Sequence, residues 1–195
     1  ESSTLQNYFN GINISANRAR ELVEQILAFS RNDKADLRPM SLQNLIREVL
    51  EIQRASLPAM IRIKQDIDET CGRVAADAIG IHQVIMNLTT NAYHAMQDTG
   101  GDLTVSLKRM ELKPKRMNGS VSQTNQFVCM TVTDSGIGME ADIAKQIFDP
   151  FFTTRRHSKG TGLGLSIVAD IIKNHNGSIE VDSTPGKGSV FKVFL

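Results

Sequence analysis

The first 30 residues carry apolar side chains at steps that alternate between four and three. Most positions between them are polar, so the apolar side chains form one narrow stripe on a helix, as they do in helical bundles. The stripe consists of Leu5, Phe9, Ile12, Ala16, Ala19, Val23 and Ile26. A surface helix that packs on its own domain is the alternative. A polar stretch then breaks the period and Arg38 precedes a proline, so we place a linker at 31–37.

Two more stripes with helical spacing follow, and a residue that can cap a helix stands before each. Ser41 precedes the stripe of Leu42, Leu45, Ile46, Val49 and Leu50. Asp77 precedes the longer stripe of Ile81, Val84, Ile85, Leu88, Ala92 and Met96. A further helix is predicted over 164–174, with Gly177 as its C-terminal stop.

The segments between these helices have the pattern of strands. Residues 61–67 and 103–107 alternate apolar and polar side chains, and 127–132 is a third apolar segment. Residues 99–102 form a turn, and the long polar stretch 113–125 connects two strands as a hairpin. Residues 179–181 and 190–195 predict a closing hairpin around Pro185. We therefore predict an α+β fold, in which helices cover one face of a mostly antiparallel sheet.

Composition and charge narrow the functional classes. The chain has 22 Lys and Arg against 21 Asp and Glu, a net charge of +1 that gives no reason to expect a nucleic-acid partner. No apolar run approaches the roughly 20 residues of a membrane span. Cys71 and Cys129 stand far apart, which suits a reducing compartment and favours neither a disulfide framework nor a zinc site. The chain begins without Met or a signal peptide, so we expect a piece of a longer protein.

Three polar side chains share one stripe of the helix that follows Asp77. Asn87, Asn91 and His94 stand at i, i+4 and i+7, on the flank of the apolar face. Asn is unfavourable inside a helix, so two of them on one stripe indicate a function. Amide oxygens that face one way suit a hydrated Mg²⁺ and phosphate oxygens. A solvated helix flank is the alternative.

A carboxylate followed by Gly-x-Gly comes directly after the strand 127–132. Asp134 would be a fixed acceptor at the end of that strand, and Gly136 and Gly138 let the backbone approach a ligand closely. The alternative is a plain turn.

Two further segments stand close together near residue 160. Residues 147–156 hold three of the eight Phe and a pair of arginines, which suits either a hydrophobic anchor for a mobile segment or core packing. Residues 159–165 (Lys-Gly-Thr-Gly-Leu-Gly-Leu) open the predicted helix 164–174. Glycines let such a loop fold around an anion, and the helix start adds free N–H groups. The loop lacks the Gly-Lys-Ser/Thr of a P-loop.

Taken in order, these segments resemble the ATP-binding catalytic domain of bacterial sensor histidine kinases, in the wider superfamily of gyrase, MutL and heat-shock chaperone ATPases. Residues 82–92 are similar to the N box, 134–138 to the G1 box, 148–152 to the F box and 160–165 to the G2 box. The resemblance runs from about residue 37 to 195. It implies an α/β sandwich that binds ATP between its helices and a lid at 139–159.

The resemblance also implies roles for single residues. Asp134 would accept a hydrogen bond from the adenine amino group, in a pocket shaped by Gly136 and Gly138. Asn91 would be a ligand of Mg²⁺, with Asn87 beside it on the metal or on phosphate. The further nucleotide contacts that it implies are His94, Phe148, Arg155, Arg156, Lys159, Gly160, Thr161, Gly162, Leu163 and Gly164.

The N-terminal helix fits the same resemblance. Residues 18–31 look like the second helix of the dimerisation and phosphoacceptor domain, whose first helix carries the phosphorylated His. None of His82, His94, His157 and His175 lies in such a helix. We therefore expect the phosphoacceptor to be absent from this chain, which then binds ATP without phosphorylating itself. Many relatives have Lys or Arg where His94 stands.

The resemblance divides the chain into residues 1–33, the dimerisation helix, and 34–195, the catalytic ATP-binding domain. It implies a homodimer through the dimerisation helices and the receiver domain of a response regulator as partner. It also implies a cytoplasmic domain, and leaves open whether the full-length protein is anchored in the inner membrane.

Three functions compete at this point. A histidine kinase module would pass the γ-phosphoryl group of ATP to a His, and that group would go on to an Asp of the response regulator. An ATP-hydrolysing clamp of the gyrase or MutL type would need a Glu one turn before the metal-binding Asn, to activate water. That position holds Asn87, which cannot take a proton, so we expect the kinase. A degenerate binding module is disfavoured because all four boxes look intact.

Overall fold

Seven strands, four α-helices and one short 3-10 helix (Glu69–Cys71) make up the part of the chain that the computed structural model describes, residues 36–111, 126–154 and 161–195. In chain order the strands and α-helices are β1 (Arg38–Met40), α1 (Leu42–Ser56), β2 (Ile61–Ile67), β3 (Val74–Ala76), α2 (Ala78–Met96), β4 (Gly101–Glu111), β5 (Gln126–Asp134), α3 (Ala141–Ala144), α4 (Gly164–Asn174), β6 (Ser178–Thr184) and β7 (Gly188–Phe194).

Five of the strands form the central sheet, in the order β2-β4-β5-β7-β6. β2 runs parallel to β4, and every other pair in this sheet is antiparallel. The predicted fold class, a mostly antiparallel sheet with helices, is confirmed. β1 and β3 form a separate antiparallel pair.

The two faces of the sheet differ in character. On one face the apolar side chains of β4 and β7 are buried, and the predicted apolar stripe of α2 is buried against them from Ile81 to Met96. The opposite face carries cross-strand ion pairs: Arg62 and Lys64 with Asp102, Lys108 with Asp66, and Lys192 with Asp182. Helices therefore cover one face, and that layer is where a ligand site can be built.

The long helices begin where the sequence predicts. The Ser41 hydroxyl accepts a hydrogen bond from the N–H of Asn44 at 3.5 Å, and the Asp77 carboxylate accepts bonds from the N–H groups of Ile79 and Gly80. Both residues satisfy N–H groups that a helix start leaves without a partner.

Three details differ from the sequence prediction. β4 begins at Gly101, inside the predicted turn, because Gly101 already pairs with Ile61. The β1–β3 pair was not predicted. At the end of α4 the left-handed residue is Asn176 (φ 56°), while the N–H of Gly177 donates to Ile172 at 2.9 Å. That arrangement closes the helix with Asn in the position that usually favours Gly.

Two predicted segments lie outside the described residues: the dimerisation helix at 1–33 and the hairpin connection at 113–125. Among the described helices, none is both long enough and apolar enough to span a membrane.

Candidate functional site

The buried carboxylate of Asp134 is the centre of the candidate site. Asp134 is the last residue of β5, between Leu103 of β4 and Ser189 of β7. Only 4% of it is exposed, and its Oδ1 accepts a hydrogen bond from the N–H of Gly136 at 2.9 Å. The strand pairing thus fixes an acidic group where the sheet meets the helix layer.

Burial raises the pKa of the Asp134 carboxyl above its ordinary value of 3.8. Three hydrogen bonds act in the opposite direction, from the N–H of Gly136 and from the N–H and hydroxyl of Ser189. A carboxylate pulled out of water in this way gains from any further donor that a ligand supplies. The Asp134 carboxylate can therefore accept a hydrogen bond from an N–H group of a ligand.

The two glycines after Asp134 allow close contact on both sides of their loop. A Cβ on Gly136 would lie 2.6 Å from the carbonyl oxygen of Ala95, and the N–H of Ile137 donates to that oxygen at 3.1 Å. Gly138 has φ +64°, and a Cβ there would collide with the carbonyl of Thr184. The loop is thus held between the end of α2 and the β6–β7 hairpin.

The polar stripe of α2 lies where its spacing predicts. Asn87, Asn91 and His94 are all half-buried on the flank of the helix. The side-chain amides of Asn87 and Asn91 form no hydrogen bond with another residue of the described ranges. Half-buried amides normally have partners, so these two are open to a ligand. The ring of His94 lies 5.2 Å from that of Tyr93.

The glycine-rich segment faces this stripe. A Cβ on Gly164 would lie 3.3 Å from Oδ1 of Asn87, so the start of α4 comes directly against the polar flank of α2. Among the described residues, no side chain caps α4, whose N-cap residue Leu163 is itself buried. The hydroxyl of Thr161 instead accepts the N–H of Leu163 at 3.4 Å. The first N–H groups of α4 therefore stay available to an anion beside Asn87.

Of the three Phe residues in the segment 147–154, two pack against the core and one is exposed. Phe148 and Phe152 are half-buried against the core, as core packing requires. Phe151 is 71% exposed and has φ 67°. Its N–H donates to the carbonyl of Gly162 at 2.9 Å, and a Cβ on Gly162 would collide with the Phe151 backbone. The Phe segment and the glycine-rich segment are thus joined at one point.

Four of the predicted site residues lie outside the described residues: Arg155, Arg156, Lys159 and Gly160. The structure brings the others to the helix-covered side of the sheet in two groups. Asp134, Gly136 and Gly138 lie at the end of α2, and Asn87 lies against Gly164 further along the same helix. Asn91 and His94 lie between these groups along α2.

Comparison with known proteins identifies this arrangement. Residues 76–195, which hold all four motifs, match the sequence family described as histidine kinase-, DNA gyrase B-, and HSP90-like ATPase. The chain belongs to this ATPase family.

Within the family, the ATPase domain is similar to sensor kinases. The chain is 37% identical to sensor kinase CckA of Brucella abortus (strain 2308) over 182 residues, which cover 93% of this chain and 19% of CckA. It is 34% identical to sensor histidine kinase ZraS of Salmonella typhimurium over 181 residues, which cover 92% of this chain and 36% of ZraS. The chain therefore spans well under half of the length of either relative, and these similarities do not favour the gyrase-type alternative.

A solved structure shows the same fold. Histidine kinase ThkA, in complex with response regulator protein TrrA, superimposes with a TM-score of 0.71 at 29% identity. The match covers 100% of this chain and 52% of the ThkA chain. The ATPase domain is thus homologous to the catalytic domains of histidine kinases in both sequence and fold.

Sequence reasoning missed Ser189, Ser183 and Ala95, which support the loop of this ATPase domain. Ser189 is the cross-strand partner of Asp134 and acts to lower the pKa of its carboxyl, and the carbonyl of Ala95 accepts a hydrogen bond from the N–H of Ile137. Their roles depend on the register of β7 beside β5 and on where α2 ends. Only the predicted hairpin around Pro185 pointed to this region.

Proposed function

We propose that the chain binds MgATP and serves as the catalytic module of a sensor histidine kinase. In this function the γ-phosphoryl group passes from ATP to a histidine of the dimerisation domain, and from there to an Asp of a response regulator receiver domain. The observation that carries the proposal is the buried carboxylate of Asp134 beside two glycines that no Cβ-bearing residue could replace without a clash.

Asp134 reads the base in this proposal. Its buried carboxylate accepts a hydrogen bond from the exocyclic amino group of adenine, and Gly136 and Gly138 let the loop beside it pack closely against Ala95 and Thr184. A purine with a carbonyl at that position would place an acceptor against an acceptor, so the same carboxylate discriminates against guanine.

The other end of the site binds the phosphates. Asn91 and Asn87 fit a hydrated Mg²⁺, since amide oxygens are hard ligands and neither amide has another partner in the described ranges. The ion would supply charge neutralisation along the phosphate chain. The start of α4 offers N–H groups to a phosphate beside Asn87. Further contacts are proposed for His94, Phe148, Arg155, Arg156, Lys159, Gly160, Thr161, Gly162, Leu163 and Gly164.

Phosphoryl transfer suits this set of groups better than hydrolysis. Transfer to a positioned acceptor requires mainly orientation and charge stabilisation, which Asn87, Asn91 and the α4 start can provide. Hydrolysis gains a factor of roughly 10²–10⁴ from a general base, and Asn87 cannot act as one. We therefore expect slow ATP hydrolysis by the chain alone.

The acceptor histidine is proposed to lie on another helix. His82 and His94 belong to α2, and His175 ends α4 as a buried residue with two backbone partners. Incubation of the chain with radiolabelled ATP should leave it unlabelled. Acid-labile phosphate on any of its four histidines would contradict this part of the proposal. Addition of a polypeptide with the phosphoacceptor helix should produce labelled acceptor.

The proposed partners follow from the same similarity. ThkA was solved with the response regulator protein TrrA, and a receiver domain is the corresponding partner proposed here. The apolar stripe at 5–26 would contribute to a homodimer through the dimerisation helices. Sedimentation of the whole chain and of a version that starts at Lys34 tests this role, because only the longer chain should self-associate as concentration rises.

A binding titration tests the central proposal. We expect a fluorescent ATP analogue to bind in the presence of Mg²⁺, and Asp134→Asn to weaken that binding about tenfold or more, because a hydrogen bond to a charged acceptor is lost. Asn91→Ala should remove the dependence on Mg²⁺. Asn44→Ala, at an exposed position of α1, is the matched control. An unchanged dissociation constant for Asp134→Asn would contradict the assignment of the base pocket.

A further inference from the structure

Two serine hydroxyls link the buried carboxylate of Asp134 to the backbone of Met139. Ser183 of β6 and Ser189 of β7 are direct cross-strand partners, with their Oγ atoms 3.1 Å apart. Ser189 is in turn the partner of Asp134 across β5 and β7. On the far side, the Oγ of Ser183 accepts a hydrogen bond from the N–H of Met139 at 2.9 Å.

The donors and acceptors among these groups limit the direction of the hydrogen bonds between Met139 and Asp134. A backbone N–H can only donate, so the Ser183 oxygen accepts from Met139. The Ser189 hydroxyl acts to lower the pKa of the neighbouring Asp134 carboxyl, so that carboxylate is one acceptor for its proton. The Ser183 proton then goes to β7, either to the Ser189 oxygen or to the carbonyl of Gly188 at 3.0 Å. Hydrogen bonds that point the same way polarise and strengthen one another.

Ser183 holds the far end of the loop 135–139, while the near end is held by the bond of Gly136 to the Asp134 carboxylate and by the bond of the Asp102 N–H to the Ser135 hydroxyl. The N–H of Gly186 donates to Ile137 at 2.7 Å, and the N–H of Ile137 donates to Ala95, but both of these bonds join backbone to backbone. The bond from Met139 ends on a side chain, so one substitution can remove it while the main-chain hydrogen bonds stay intact.

We propose that Ser183 is a positioning residue for the nucleotide. Its hydroxyl holds Met139 on the β6–β7 hairpin and thereby keeps the loop 135–139 in register with the carboxylate of Asp134. The inference rests on the proposed function, in which that loop surrounds the adenine ring. Ser183 itself need not contact the nucleotide, because it acts through the loop.

Position along the loop makes the role specific to the base. Met139 ends the loop, so its release leaves the bonds of Gly136 and Ile137 as the remaining anchors beside Asp134 and lets the far end of the loop shift. The phosphate end of the site, where Asn87 lies against Gly164, has no hydrogen bond to Ser183 in the described structure. Loss of the Ser183 hydroxyl should therefore weaken all adenine nucleotides equally, whatever their number of phosphates.

The test compares three variants of the whole chain. Ser183→Ala removes the hydroxyl, Ser183→Thr keeps it, and Ser178→Ala removes an exposed hydroxyl from the other end of the same strand. Calorimetry gives the dissociation constants for MgATP and MgADP. Amide hydrogen exchange followed by NMR reports directly on the Met139 N–H.

For Ser183→Ala we expect the Met139 amide to exchange about tenfold faster and both dissociation constants to rise by the same factor, about threefold to tenfold. Ser183→Thr and Ser178→Ala should match the unmodified chain in both measurements. If Ser183→Ala does not fold, Ser183→Cys, whose thiol is a weak acceptor, should show smaller losses in the same direction.

Several results would overturn the positioning role. Unchanged affinities in Ser183→Ala, or in Ser183→Cys where only that variant folds, would make the hydroxyl purely structural. A loss of affinity for MgATP alone would place the effect at the phosphates. A Ser183→Thr variant that binds both nucleotides as weakly as Ser183→Ala would exclude the hydroxyl as the cause. An unmodified chain that binds neither nucleotide would overturn the proposed function itself, and the role of Ser183 with it.

Discussion

The imidazole of His175 accepts a hydrogen bond from the backbone N–H of Asp77 at 2.9 Å and so ties the end of α4 to the start of α2. Its other nitrogen donates to the carbonyl of Ile171 at 2.7 Å. One partner can only donate and the other can only accept, so the ring is held as the neutral tautomer with its proton on Nδ1. The contact joins the two helices whose facing residues form the proposed phosphate end of the site.

Replacement of His175 by Ala should destabilise the fold without altering the nucleotide site. The substitution leaves the N–H of Asp77 and the carbonyl of Ile171 without their side-chain partner, at a position where His175 is only 8% exposed. We expect the free energy of unfolding in urea to fall by about 2–3 kcal/mol.

The matched control for that substitution is His82→Ala. His82 is a half-buried histidine of α2 and forms no hydrogen bond with the described residues, so the loss of stability should stay below about 1 kcal/mol. Equal losses in the two variants would show that the bonds of His175 contribute nothing specific.

Gly138→Ala and Gly186→Ala separate backbone conformation from steric contact. Both glycines have a left-handed backbone, with φ +64° and +73°, but a Cβ would meet the Thr184 carbonyl only at Gly138. We expect Gly186→Ala to cost about 1 kcal/mol of stability and to leave nucleotide affinity unchanged. Gly138→Ala should cost more and weaken the binding of an ATP analogue, because the loop must move. Thermal unfolding and titration together check this, and similar behaviour of the two variants would contradict it.

Asp134→Asn should make the chain more stable at neutral pH while weakening nucleotide binding. Burial raises the folded pKa of Asp134 above 3.8, so its favourable contribution to folding is complete at low pH and is lost as the pH rises through the folded pKa. Asn keeps an acceptor for Gly136 and does not ionise. The stability difference between the variant and the unmodified chain should therefore grow from pH 4 upward in urea titrations. A difference that is constant with pH would contradict this.

Asp102 should show the opposite dependence on pH. Hydrogen bonds from Arg62 and then Lys64 lower the pKa of Asp102 from 3.8 to about 2. Its contribution to folding is therefore present above about pH 4 and is lost as the pH falls through about 2. Asp102→Asn should destabilise the chain at pH 7, and this effect should fade toward pH 2 and in 1 M salt.

Asp98→Asn is the control for the Asp102 substitution. Asp98 is exposed and has no ion pair with the described residues, so its replacement should have little effect under either condition. An Asp102→Asn effect that persists unchanged at high salt would indicate a role other than ion pairing.

Local signals predicted the helices and the site residues that lie on them. Asp77 caps α2 as expected, α4 covers 164–174, and the flank of Asn87 and Asn91 is half-buried. Spacing of 3.6 residues and capping chemistry are properties of a single segment, which is why sequence alone is sufficient for them.

Contacts between distant strands could not be predicted in this way. β1 and β3 have three residues each, too few for a period, and Pro39 discourages a strand assignment. The parallel partner of β2 lies about 40 residues further along the chain. Ser183 and Ser189 acquire their roles only through the register of β6, β7 and β5. Their residue types alone are those of ordinary strand and turn positions.

The place of Asp134 in the middle of the sheet also sets the order in which the site can form during folding. β4 and β5 are joined in sequence, as are β6 and β7, so each pair can assemble locally. The pairing of β5 with β7 spans about 60 residues and closes later, because long-range contacts are slower to form. Asp134 acquires Ser189 as its cross-strand partner only at that step. The proposed nucleotide site is therefore complete only in the fully assembled sheet, and a nucleotide at a hundredfold excess over its dissociation constant would oppose unfolding by about 2.7 kcal/mol.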